Sequence, residues 1–83
     1  MIFLYYVYLL RSIKNSQHTY IGHTDNLKQR LETHNSGGSI HTMSYRPWEL
    51  ILFLGFKEKL QATAFEKYLK SGAGRAFAKK RFW

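Results

Sequence analysis

Arg30 and His34 stand four residues apart in a stretch of helical periodicity, so they share one helix face. An arginine clamps a phosphate through two parallel hydrogen bonds and stays charged at any working pH. A histidine titrates near neutrality and can accept a proton or orient a phenol. Alone, the pair also suits the exposed face of an ordinary amphipathic helix. Upstream lie two tyrosine-bearing segments, Tyr6-Val7-Tyr8 and Tyr20-Ile21-Gly22. They spend polar groups where a plain core would use Val or Leu. A free phenol ionises near pH 10 and is a poor base in neutral water, but cations beside it lower that value. With Arg30, His34 and a metal nearby, Tyr8 could take a proton from an attacking water. Tyr6 is expected to pack on the sheet; Tyr8 and Tyr20 are the site candidates.

Glu66 is the next candidate. It lies in Ala62-Thr63-Ala64-Phe65-Glu66-Lys67-Tyr68, beside an apolar stripe. Its plain role is an i,i+4 pair with Lys70, worth tenths of a kcal/mol. Its chemical role is a ligand for one hard cation, since a single carboxylate with several waters is the habit of Mg²⁺. The chain holds only five acids, Asp25, Glu32, Glu49, Glu58 and Glu66, never adjacent. Two-metal phosphoryl-transfer sites gather several carboxylates, so none is expected. His18, His23 and His41 share no zinc-like spacing with each other or with His34. His23 follows Gly22 at the rim of the proposed site and is expected to contact phosphate. Ser71-Gly72-Ala73-Gly74-Arg75 reads first as a helix break and second as an anion-binding turn. Lys79-Lys80-Arg81 beside Phe82-Trp83 suits a grip on nucleic-acid backbone and base, or a fraying basic end.

These residues need a scaffold. The 83 residues suffice for one domain, and the high aromatic share of 17% helps a small core close. With no cysteine, disulfides and thiolate metal sites are excluded. The net charge of +8 favours a polyanionic partner, nucleic acid first and an anionic membrane surface second. The apolar opening Ile2–Leu10 lacks the basic start and small-residue cleavage site of a signal peptide. It is too short to span a bilayer as a helix. No membrane association and a cytoplasmic location are expected.

The predicted order is β-β-α-β-α-α. Ile2 to Leu10 reads as a strand covered on both faces, Asn15-Ser16 as a turn, and His18 to His23 as the returning strand. A loop centred on Lys14 would set Tyr8 opposite Tyr20. Thr24 or Asp25 is the predicted cap of a helix carrying Leu27, Leu31 and His34, closed by Gly37-Gly38. A mobile loop is expected from Ser36 to Arg46, then a strand from Trp48 to Phe56. A helix is predicted over Lys59–Lys70, with Ala64, Phe65, Tyr68 and Leu69 on its buried side. Gly72 and Gly74 are expected to break it before a short basic helix over Ala76–Phe82. The fold class is α+β: a small three-stranded antiparallel sheet flanked by helices.

In this order the motifs resemble the GIY-YIG nuclease domain family. Tyr6-Val7-Tyr8 stands where that family has its first motif, with Gly-Ile replaced and the final tyrosine kept. Tyr20-Ile21-Gly22 matches the second motif in full. Leu27 to Asn35 is similar to the helix bearing the family's arginine and histidine, and Glu66 falls at its metal-binding glutamate. Tyr45-Arg46-Pro47-Trp48 and Phe65–Gly72 resemble the small stand-alone bacterial members, close to the N-terminal module of UvrC. The resemblance covers nearly all of residues 1–83 as a single catalytic domain. It implies an endonuclease that hydrolyses phosphodiester bonds of DNA, with RNA left open, in a structure-selective or weakly specific manner. A role in DNA repair or recombination is compatible with it.

By the same likeness Glu66 would hold one Mg²⁺ or Mn²⁺, and Arg30 would stabilise the pentavalent phosphate. Tyr8 or Tyr20 would activate or orient water, with His34 assisting. His23 falls at a position often basic in the family, and Lys28, Arg46, Arg75 and Lys79 would add contacts to nucleic acid. Many members carry a late asparagine in the site. No asparagine follows Asn35 here, so Ser71 is the candidate replacement and a protein partner or dimer is left open. The other reading is a non-catalytic nucleic-acid-binding module that kept the fold.

Overall fold

In the computed structural model the described residues run from Phe3 to Trp83, so Ile2, where the first predicted strand begins, lies outside them. The elements follow the predicted order. They are β1 (Tyr5–Ser12), β2 (Thr19–Thr24), α1 (Leu27–Ser36), a 3-10 turn (Met43–Tyr45), β3 (Trp48–Phe56), α2 (Lys59–Leu69) and α3 (Gly72–Arg81). The sheet is antiparallel with β1 between β2 and β3. The central strand explains the unbroken apolar run of the first segment: Val7, Tyr8, Leu9 and Leu10 are all buried.

The two-residue period of β1 divides the core. Val7 and Leu9 pack with Ala62, Leu69 and Ala78 of α2 and α3. Tyr8 and Leu10 pack on the other face with Trp48, and with Leu27 and Leu31 of α1. The hairpin turns about Asn15 rather than Lys14. Tyr8 therefore pairs with Gly22, and Tyr20 pairs with Leu10. Tyr8 and Tyr20 remain on one face as diagonal neighbours, ring centroids 6.3 Å apart. Such diagonal pairs still reach each other when the side chains are aromatic.

The helices correct three predictions, two at their ends and one on a buried face. The cap of α1 is Asn26, whose side chain accepts from the Gln29 amide at 3.1 Å. Thr24 instead braces the turn before it through the Asn26 amide. Gly72 and Gly74 do not break the chain but open α3, with Ser71 as its cap. Gly74 is needed because a Cβ there would run into the Tyr68 carbonyl. On α2 the buried residues are Ala62 and Leu69, whereas Ala64 and Tyr68 are exposed. The packed stripe is thus rotated from the predicted one, because α2 meets β1 and α3 rather than the sheet alone.

The loop predicted to be mobile is anchored. Gly37 ends α1 in the left-handed conformation at φ 84°, which glycine adopts without Cβ strain. Asn35 then ties α1 to β3, donating to the Trp48 carbonyl and accepting from its amide. The Trp48 indole donates to the Thr42 carbonyl at 2.8 Å. These bonds fold the 36–46 segment back so that Thr42 is fully buried beside His34.

Candidate active site

The α1 face of the sheet holds a buried hydrogen-bonded row. The Tyr8 hydroxyl lies 2.8 Å from His34 Nε2, and His34 Nδ1 lies 2.7 Å from Thr42 Oγ1. All three residues are at most 2% exposed. Burial, with the Arg30 charge adding to it, lowers the pKa of His34, so its ring is neutral at pH 7. Burial also dominates at Tyr8 and pushes its pKa up to about 12, against the opposing pull of Arg30. The expectation that cations lower this phenol is therefore reversed. A phenol that keeps its proton must donate, which assigns the row: Tyr8 donates to Nε2, and Nδ1–H donates to Thr42.

Gly22 makes the row fit. It faces Tyr8 across the ladder, and a Cβ there would lie 2.5 Å from the Tyr8 hydroxyl. The glycine ending the second tyrosine segment is thus a space requirement of the first.

Arg30, one turn before His34 on α1, acts electrostatically on both Tyr8 and His34. With Tyr20 and His34 it lines a polar groove of about 420 Å³, in which Thr33 and Ser39 also take part. The Tyr20 ring lies 5.0 Å from that of His34. Tyr20 is half-buried and stands at the groove wall, whereas Tyr8 lies behind it.

The second cluster grows from the other sheet face. His23 pairs with Val7 across the ladder and so points toward α2. Its Nδ1 donates to Glu66 Oε1 at 2.6 Å, and the Lys70 ammonium donates to Oε2 at 2.9 Å. Burial of Glu66 acts to raise its pKa, but the hydrogen bonds from Lys70 and His23 outweigh it and hold the carboxyl below its usual range. Glu66 is therefore a carboxylate at neutral pH. The two clusters meet at the β2 edge: the Lys70 ammonium lies 5.8 Å from the Tyr20 ring centre, and the Glu66 charge opposes ionisation of Tyr8.

Divalent hard ions prefer oxygen ligands. Among the described residues no cluster of three or more His, Cys, Asp or Glu could enclose a metal. The donor set fits an ion only as a one-carboxylate site, with Glu66 the protein ligand and water completing the shell.

Tyr8, Tyr20, Arg30 and His34 are thus brought together, with Glu66 and His23 adjoining them. Arg75 and Lys79 line a separate groove with Tyr20 and Lys70. Lys28 and Arg46 are exposed and line neither groove. Ser71 does not replace the late asparagine: its hydroxyl donates to the Tyr68 carbonyl and accepts from the Gly74 amide. Thr42 escaped the sequence reading because it sits in a polar loop with no periodic signal. Lys70 was visible only as the plain partner of Glu66. His18 stacks on Tyr45 at 3.7 Å, away from both clusters.

A family model described as the GIY-YIG catalytic domain matches residues 4–80. The structure-specific endonuclease subunit SLX1 of Vanderwaltozyma polyspora is 41% identical over 75 residues, covering 82% of this chain and 24% of that protein. Its counterpart in Podospora anserina is 44% identical over 69 residues, covering 76% and 20%. The SLX1 homolog of Giardia intestinalis is 36% identical over 69 residues, covering 78% and 19%. The chain spans at most about a quarter of the length of these relatives. No helix among the described residues is long and apolar enough to cross a membrane.

Proposed function

Since the chain belongs to the GIY-YIG catalytic-domain family, we propose that it is a divalent-metal-dependent endonuclease that cuts DNA according to its structure rather than its sequence. The relatives named as structure-specific endonuclease subunits support cleavage by structure. Residues 1–83 act in this reading as the catalytic module, and repair or recombination of DNA is its setting. The observation that carries the mechanism is the buried 2.8 Å bond from Tyr8 to His34. It gives one phenol a base, which Tyr20 lacks.

Tyr8 is accordingly the proton-transfer group. As water attacks phosphorus, its proton passes to the Tyr8 oxygen while the phenol's own proton passes to His34 Nε2. The new P–O bond forms, one bridging P–O bond breaks, and the leaving oxygen takes a proton from solvent. Thr42, accepting from Nδ1–H, supports the imidazolium that results. Arg30 clamps the non-bridging oxygens, where negative charge builds in the transition state. Tyr20 forms the wall against which the phosphate rests, His23 contacts a neighbouring phosphate, and Lys28 or Arg46 neutralises others. Glu66 would hold one Mg²⁺ or Mn²⁺, which would supply positive charge against the negative charge that develops in phosphodiester hydrolysis.

The test is a panel of linear, flapped, branched and single-stranded DNAs incubated with and without Mg²⁺ or Mn²⁺. Cleavage of the branched or flapped substrates is expected, and Glu66→Gln should lower it at least about a hundredfold with an unchanged circular dichroism spectrum. Equal cleavage by the Glu66→Gln protein would reject the metal assignment. One observation favours a second reading, a nucleic-acid binder without catalysis: the Lys70 ammonium rests on the carboxylate oxygen an ion would need. Binding with a steep salt dependence and no cleavage of any substrate in the panel would establish that reading.

A further inference from the structure

We propose that the groove between β2 and α3 holds an unpaired nucleotide of the DNA substrate, stacked on Trp83. The inference rests on the nuclease reading for the identity of the polymer, and it names where the non-duplex part of that polymer is held.

The groove has a volume of about 460 Å³, within the range of sites that enclose small ligands. Its depth is apolar: Leu69 and Ala78 are fully buried, and Ile21 lies beside them. Its exposed lining is cationic, formed by Lys70, Arg75 and Lys79, with no Asp or Glu side chain among the lining residues. Two aromatic rings complete it, Tyr20 and Trp83. Trp83 is held in place by Arg11, whose guanidinium lies 5.5 Å from its ring centre and donates to its backbone oxygen. Arg75 is held in turn by a 3.2 Å bond from its Nε to the Lys70 carbonyl.

A cationic rim alone would suit a duplex, whose outer surface offers phosphates. Duplex DNA cannot fill the apolar depth, because its bases are stacked and paired inside. A base that has left the stack can, with its ring against an indole and its phosphate on the rim. This pairing of aromatic faces with a basic track is how single strands are bound without sequence readout. Tyr20 and Lys70 are shared with the candidate active site. A nucleotide seated here therefore sits beside the bond to be cut. Selection of branched or flapped DNA follows, since only a junction delivers an unpaired nucleotide and a duplex phosphate together.

The experiment measures binding of a ten-nucleotide single strand and of a blunt twenty-base-pair duplex by fluorescence anisotropy. It uses Glu66→Gln protein without divalent ion, so cleavage plays no part. Trp83→Ala in that background should weaken the single strand about tenfold or more, the loss of one base–aromatic stack, and the duplex less than twofold. Because Trp83 also packs on the core, Lys79→Ala serves as the second variant. Lys79 is exposed, and its loss should reduce the salt slope for the single strand by about 0.7. An equal loss for both ligands on Trp83→Ala, or an unchanged salt slope on Lys79→Ala, would overturn the proposal. A protein that shows the single-strand losses but never cleaves rejects only the nuclease reading. A protein that cleaves but shows neither loss rejects only the groove.

Discussion

The two halves of the site are built on opposite physical plans. The Tyr8–His34–Thr42 row is buried, neutral and closed, each polar atom matched to one partner. The Glu66 cluster is charged and partly wet, the Glu66 side chain 15% exposed while the His23 and Lys70 side chains are 39% and 49% exposed. In the first, desolvation fixes the protonation states and makes geometry unforgiving. In the second, solvent screens the charges and the partners can be exchanged. One half is therefore suited to moving a proton along a set path, and the other to admitting and releasing an ion. Mutations should therefore cost more stability in the first half than in the second.

Tyr8→Phe should have the largest effect. It keeps the ring in the core and removes the hydroxyl proposed to carry the proton. Cleavage is expected to fall by about 10²–10⁴-fold, the usual contribution of a positioned acid or base. The buried Nε2 loses its donor, so thermal unfolding should report a loss of about 1–3 kcal/mol. Tyr20→Phe serves as the comparison: a larger loss from it would move the proton-transfer role to Tyr20 and undo the assignment of the buried row.

Gly22→Ala tests the same half through space alone. The added methyl would meet the Tyr8 hydroxyl at 2.5 Å, backed by the Tyr20 ring at 3.0 Å. Neither ring is a flexible chain end, so the phenol must shift off His34. A stability loss of about 1–3 kcal/mol is expected from overpacking, with roughly a hundredfold loss of cleavage from the misplaced hydroxyl. Wild-type cleavage by this variant would mean that the Tyr8–His34 bond is dispensable.

Thr42→Val comes next and should be milder. The isosteric change removes the acceptor for Nδ1–H, so the ring favours the Nε2–H tautomer, which cannot accept from Tyr8. About a tenfold fall in rate is expected. The pH profile gives a readout that simple loosening of the loop would not move. His34 must be neutral to accept, and its folded pKa is below the ordinary 6.5. The acid limb of the wild-type rate should therefore lie below pH 6.5. Stability follows the same sign: the unfolded chain takes up a proton near 6.5 while the folded His34 does not, so stability is lost as pH falls from there. An acid limb above 6.5 would contradict a buried neutral His34.

The two halves also differ in how far the sequence exposes them. Arg30 and His34 were legible because helical spacing alone puts i and i+4 on one face. Glu66 was legible because acids are so few. The three-stranded sheet followed from β-rich apolar runs and turn residues, and the burial of both faces of β1 from its unbroken apolar run. Thr42 was not legible, since its burial depends on Asn35 and Trp48 folding the loop back through contacts that no local pattern encodes. The hairpin register depended on a loop centre one residue from the predicted one. That moves Tyr8 from Tyr20 to Gly22 and gives the motif glycine a steric role in the strand. The rotated stripe of α2 is likewise a tertiary effect that overrides local propensity, whereas the early start of α3 comes from its Ser71 cap.

Lys70→Met gives the smallest effect on the fold and the most direct view of the exposed half. The Lys70–Glu66 pair is a partly exposed i,i+4 contact, so its removal should change stability by less than about 1 kcal/mol. Its consequence lies in the ion. The ammonium occupies Oε2, and an ion that uses Glu66 must displace it. Removing it leaves the carboxylate held by His23 alone and relieves that competition. The Mg²⁺ concentration for half-maximal cleavage should then fall severalfold, measured by titration at fixed ionic strength. Lys70 also lies over Tyr20 at the edge of the α3 groove, so DNA affinity should weaken in the same variant. The two shifts run in opposite directions, which separates them in one experiment. If half-saturation by Mg²⁺ rises instead, Lys70 supports the ion site rather than competing for it, and the exposed half is as fixed in its partners as the buried one.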